Sequence, residues 1–111
     1  NLIRAKDILE QSVGPDHPRT AEAYVRIAGF ERKQGNHERA IEVIHGVLET
    51  TEKLVGYRVA GDAYMSLAKT YLAMGETTQS RTWAEKAAAW FDKMGAPASA
   101  ADTRDWIEDN L

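Results

Sequence analysis

The sequence has no cysteine. That excludes a disulfide framework, a thiol nucleophile and any zinc site built on thiolates. The lack suits a reducing compartment, and the cytoplasm is the expected location. No apolar run approaches the roughly 20 residues that a membrane-crossing helix needs, and no signal-peptide pattern opens the chain. A basic excess is missing too: 14 Lys and Arg stand against 17 Asp and Glu, a formal net charge of -3. A nucleic-acid binder usually carries a net basic balance or a basic stripe. Neither is present, so nucleic acid and membrane are both set aside as partners. The acidic excess is local, with four acids against one arginine between Asp102 and Asp109.

What is there is ordinary for one soluble domain with a modest continuous core: 111 residues, 43% hydrophobic and 28% charged. The chain opens at Asn1 inside a helical pattern of Leu2, Ala5, Leu9 and Val13, and reads as a piece of a longer protein. After that first pattern come Gly14, Pro15, Asp16, His17 and Pro18. Gly14 supplies a left-handed helix stop, Asp16 can cap the next helix, and Pro18 fits its first turn. His17 has a turn or capping role at most. The same punctuation returns at Gly35 with Asn36 as cap, at Gly75 with Thr77 as cap, and at Gly95 followed by Pro97.

Between the stops the apolar residues recur at helical spacing. Tyr24, Ile27 and Ala28 make one stripe, and Ala40, Ile41, Ile44, Val47 and Leu48 another. Tyr64, Leu67, Ala68 and Tyr71 make a third, and Ala84, Ala87, Ala88 and Phe91 a fourth. The pattern predicts helices near 2–13, 18–34, 37–54, 57–74, 77–93 and 97–110, with Val55–Gly56 the weakest boundary. No window alternates as a strand would, so the fold class is all-α.

Sliding the chain by 40 residues lays Ala23 on Ala63, Tyr24 on Tyr64, Ala28 on Ala68 and Gly35 on Gly75. Ile27 falls on Leu67, Ala40 on Ser80 and Val47 on Ala87. A ring that fills the space between helices, small residues that let backbones approach, and a glycine stop are the parts of a helix–turn–helix repeat. The stretches AEAYVRIAGFERKQGNHERAIEVIHGVLE and GDAYMSLAKTYLAMGETTQSRTWAEKA resemble the tetratricopeptide repeat. The first does so through Tyr24, Ile27, Ala28, Gly35, Ala40, Ile44 and Val47, the second through Tyr64, Leu67, Ala68, Tyr71, Gly75, Ser80 and Ala87. VGPDHPRTA looks like the junction of the longer repeats of kinesin light chains and many bacterial signalling proteins. Glu31 stands where an aromatic residue is usual, and Glu52 where a proline often closes the repeat.

The resemblance covers about residues 4–93. It implies an α-α superhelix, a solenoid of about six antiparallel helices closed by a capping helix. The expected organisation is a single domain: a lone second helix and junction over 1–17, repeats over 18–56 and 57–96, and a cap over 97–111. In that cap Trp106, Ile107 and Leu111 oppose Asp102, Asp105 and Asp109, one apolar side and one solvated side.

If Tyr24, Ile27 and Ala28 face the partner helix, the other side of their helix carries Glu22, Val25, Arg26, Gly29, Arg32 and Lys33. The equivalent positions are Asp62, Met65, Ser66, Lys69 and Ala73, with Leu72 at the edge. In the resembling family this face lines a concave groove that grips peptides or partner helices. Its two acids and four bases hint at an acidic ligand, against the plainer reading of a solvated mixed face. A mid-helix Gly29 suits close approach of a ligand, or equally relief of local packing. The Asn-and-Lys clamp for a C-terminal carboxylate is absent, with Arg26 and Ser66 at the places its asparagines would hold.

The expected function is a non-enzymatic module that binds another protein or a peptide. One alternative is self-association through the open first helix, and another is a sensory domain for a small molecule or signalling peptide. Trp83 and Trp90 are seven apart, on a helix that reads as core, or else as an aromatic patch for a partner. His37 and His45 lack the spacing of a ligand pair and a third ligand, so no metal or cofactor is expected. No catalytic constellation can be assembled.

Overall fold

Each expected helical stretch among the described residues forms one helix. The computed structural model describes residues 17–111, and over them the order is α1 Pro18–Lys33, α2 His37–Lys53, α3 Val59–Ala73, α4 Thr77–Lys93 and α5 Pro97–Asn110. The helix expected over 2–13, its junction and the Asp16 cap lie outside the described residues. Every helix packs on the next, and α1 also packs on α3. That is the serial stacking a helical repeat needs, with no strand among the described residues.

Three of the four turns are copies of one another. Gly35 and Gly75 sit at φ 84° and 79°, where any side chain would be strained. In each, the residue after the glycine donates its N–H five residues back: Asn36 to Glu31 at 2.8 Å, Glu76 to Tyr71 at 2.9 Å. Gly95 ends α4 in the same way, with Ala96 donating to Phe91 at 2.8 Å. This geometry corrects the expected caps. The residue directly after the glycine becomes the N-cap, so Glu76 holds the place expected of Thr77, without a side-chain bond. Asn36 stands at its N-cap, but its side-chain amide donates to Glu31 Oε2 at 2.9 Å instead of capping. At α1 the cap is His17, whose Nδ1 accepts from the Arg19 N–H at 3.1 Å. α3 starts at Val59 and not near 57, because Val55 and Gly56 form a turn closed by the Tyr57 N–H on the Leu54 carbonyl at 3.1 Å.

The core follows the 40-residue register. Tyr24 packs on Ala21, Val47 and Val59, and Tyr64 on Ala60, Ala87 and Phe91. Val47 and Ala87 are equivalent, so the two rings have corresponding surroundings. Ala28, Ala40, Ala68 and Ser80 have no exposed surface. Ser80 replaces the alanine of the first repeat and donates its Oγ–H to the Ala68 carbonyl at 2.7 Å, across α3 and α4. At Gly61 a Cβ would lie 2.6 Å from the Phe91 ring. The corresponding residues of the first repeat are Ala21 and Thr51, both fully buried. Volume added on one helix is removed from the other.

Tyr64 is also a tie. Its hydroxyl donates to Glu52 Oε2 at 2.7 Å, so the carboxylate at the usual proline position ties the end of α2 to α3. Burial, then this bond and the negative charge of Glu52, push the phenol well above its ordinary range. On the ring, Trp83 stacks at 5.8 Å and 29°, and Trp90 meets it edge-on at 6.2 Å and 81°.

Two expectations follow. Alanine gains about 0.5–1 kcal/mol over glycine within a helix, while overpacking costs typically about 1–3 kcal/mol. Gly61→Ala is therefore expected to destabilise by on the order of 1 kcal/mol in urea or thermal unfolding, and a stabilised variant would mean that Phe91 has room to swing away. For Tyr64, the unfolded chain loses the phenol proton near pH ~10 and the folded chain only above that. Its contribution is whole below about pH 10 and is lost as pH climbs toward the folded value. Tyr64→Phe should flatten this alkaline loss of stability, and an unchanged alkaline limb would count against the bond to Glu52.

Candidate functional site

The two sets of residues on the outer sides of α1 and α3 come from equivalent positions on helices that pack directly together. On α1, Glu22, Arg26 and Lys33 are exposed. Val25 is half-buried against both the Ala28 and the Val59 clusters, so only its edge is free. Arg32 is half-buried, and its Nε is enclosed without a partner. On α3, Lys69 and Ala73 are exposed and Leu72 is half-buried. Met65 is half-buried against the Tyr64–Phe91 cluster.

Two of the set behave differently from a ligand-facing surface. Ser66 retains only 8% of its surface, and its Oγ has no hydrogen-bond partner. Asp62 is engaged by Arg58, Nε to Oδ2 at 3.3 Å, four residues back at the N-cap of its helix. Among the described residues that pairing leaves Glu22 as the only acid of the set outside an ion pair. Among the described residues Arg26, Lys33 and Lys69 form no ion pair. The face is more basic than its composition suggests.

Gly29 has an unusual place on it. A Cβ built there meets nothing within 4 Å. Among the described residues no neighbouring helix requires a glycine at this position, so packing against them is not its explanation.

Three open hollows lie elsewhere. One of ≈ 690 Å³ surrounds the Gly35 turn, lined by Asn36, His37, Glu38, Arg39, Glu42 and Met74. Another of ≈ 410 Å³ lies between α4 and α5 beside Ile107. There Arg104 pairs with Asp92, and that bond holds the Asp92 carboxyl below the usual carboxylate range. The third, ≈ 450 Å³, lies between the α2–α3 link and the end of α4. None of these three is lined by the α1 and α3 set. Among the described residues no group of three His, Asp or Glu side chains could hold a metal ion.

Sequence reasoning missed the Arg58–Asp62 and Glu52–Tyr64 bonds. For the first a signal existed, since a cation and an acid four apart on a helix are neighbours. The second joins residues 12 apart across two helices, which one-dimensional spacing does not reveal.

The family model for the tetratricopeptide repeat matches residues 19–93, which is more than half of the chain. The chain belongs to the tetratricopeptide-repeat family. No curated protein and no solved structure matches it. Tetratricopeptide repeats mediate protein–protein interaction as scaffolds, and theirs is a non-enzymatic family. The two repeats here keep the family's ring, small residues and glycine stop, while Glu31 and Glu52 depart from it with structural work of their own. No helix among the described residues is long and apolar enough to cross a membrane.

Gly29→Ala is expected to raise stability by about 0.5–1 kcal/mol in chemical unfolding, because the methyl group enters open space in a helix interior. A loss of stability would reveal a packing demand that the open surroundings of Gly29 do not contain.

Proposed function

We propose that this tetratricopeptide-repeat domain is a non-enzymatic scaffold that binds an acidic peptide or helix of a partner protein along the concave α1–α3 face. The observation that carries the reading is the free basic charge: Arg26, Lys33 and Lys69 are exposed and make no ion pair among the described residues, while Arg58 already engages Asp62. A cation held out in water gains little from its own fold. Across an interface it steers an anionic partner and fixes its register.

Apolar support is at hand beside the charges. Val25 and Met65 each present a part-buried edge, the kind of anchor that desolvates on binding at little ordering cost. At Gly29 a ligand backbone can come closer than any side chain would allow. Ser66 then serves the scaffold more than the ligand, because its side chain is buried. The parent protein of such a module is a larger, cytoplasmic one in which the repeats bring a partner to neighbouring domains.

The test is a charge reversal on both helices. Arg26→Glu with Lys69→Glu alters two exposed residues, so the fold is retained, which circular dichroism checks. Binding of an acidic partner peptide should weaken by on the order of tenfold or more, with a reduced dependence on salt. If the folded double variant binds its partner with unchanged affinity, the groove assignment is wrong.

A further inference from the structure

The link between α2 and α3 puts apolar side chains into solvent. Val55 is 81% exposed and Tyr57 53%. Beside them the end of α4 completes the open hollow of ≈ 450 Å³, lined by Val55, Gly56, Trp90, Lys93 and Met94. The walls are fixed to each other, because the Trp90 indole N–H donates to the Tyr57 carbonyl at 2.8 Å. That bond satisfies the only polar atom of the indole and leaves its ring as apolar surface. It also joins the link to α4 across 33 residues of sequence. A socket whose two walls are already tied loses little freedom when something enters it.

Its charge has one sign. Lys93 is the only ionisable side chain in the lining, it is exposed, and it makes no ion pair among the described residues. We infer that this hollow is a second docking site, which takes a bulky apolar side chain flanked by an acidic residue from a peptide segment of a partner protein. Valine, indole and thioether receive the apolar group, and the ammonium of Lys93 receives the carboxylate.

The dimensions favour a single inserted side chain over a second copy of the chain. A stable dimer buries at least about 1,200 Å², whereas the link that carries Val55 and Tyr57 is flanked in sequence by the exposed, charged Glu52, Lys53 and Arg58. The site shares no residue with the α1–α3 face and stands independently of the function proposed for that face.

The three tryptophans make the test direct. The isotope-labelled full chain is titrated with the pentapeptide acetyl-Gly-Asp-Phe-Asp-Gly-amide while the indole N–H signals are followed by NMR. The Trp90 signal is expected to shift saturably, with those of Trp83 and Trp106 as internal references. Val55→Ser and Lys93→Glu change exposed side chains and leave the fold intact, and each should weaken binding by about tenfold. Arg26→Glu with Lys69→Glu should leave the titration unchanged, which separates this site from the groove. Replacing the peptide's Phe by Ala, or its Asp residues by Lys, should abolish saturation. The proposal is overturned by no saturable shift of Trp90, or by equal binding of the Lys-flanked peptide. It is also overturned by a peptide-independent, concentration-dependent shift lost in Val55→Ser, which would make a second copy the occupant.

Discussion

Close backbone approach at small residues is the constraint on which the rest of this structure depends. Ala28, Ala40, Ala63, Ala68 and Ser80 have no exposed surface, and at Gly61 even a methyl group has no space. Helices normally pack at about 8–10 Å depending on the side chains between them. Only small residues at the contact let the larger ones beside it reach across, and Ile44, Leu67 and Val59 are the large side chains buried almost completely as a result. Burying each stabilises by about 1.5–3 kcal/mol relative to leaving it exposed. A bulkier residue at the contact would sacrifice several such burials at once. The turns at Gly35, Gly75 and Gly95 act in the same direction: one repeated geometry reverses the chain after α1, α3 and α4, so that each next helix packs back on the one before it.

Within that constraint the two repeats are built from different chemistry. The second is aromatic and tightly tied: Tyr64 lies among Trp83, Trp90 and Phe91, with the Lys86 ammonium 4.8 Å from the Trp83 ring centre. The first puts Thr51 where the second has Phe91, and Glu31 where it has Tyr71. A buried carboxylate is costly unless hydrogen-bonded, and Glu31 accepts from the Asn36 amide. The cap position therefore serves the core, not the helix start. The family's two departures have one logic, since Glu31 and Glu52 each accept a hydrogen bond from a neighbouring element.

This division explains what could be read in advance. Helix extents, glycine stops and the Tyr24–Tyr64 correspondence were legible because they depend on local spacing and on the backbone demands of Gly35 and Gly75. The cap of α4 was misplaced at Thr77, because the turn fixes which residue comes next, whereas Asn36 does stand at its N-cap but turns its amide to a buried acid nearby instead of to the helix. The candidate face was legible as a set of positions, since periodicity assigns a side of the helix. Its state was not: the burial of Ser66 depends on how closely neighbouring helices approach, and the freedom of each charge depends on where its opposite lies. Phe30, Val55, Tyr57 and Met74 are exposed apolar residues that no periodic stripe had marked as unusual.

Arg58 touches one proposed surface and directly follows the residue that supports the other. Its Nε engages Asp62 at 3.3 Å, removing an acid from the α1–α3 face, and its guanidinium carbon is 5.4 Å from the Phe91 ring centre. The preceding residue, Tyr57, supplies the carbonyl that holds Trp90. Exposed contacts of the first two kinds contribute only about 0.2–1 kcal/mol each, too little to determine the fold. Their importance is in electrostatics and placement. The same short link that leaves the groove's lysines and arginines with little internal competition also anchors the indole of the hollow beside Lys93. A change in the link's backbone would therefore reach both surfaces together, whereas a side-chain change on either surface stays local. Two sites with separate linings can in this way share one structural support.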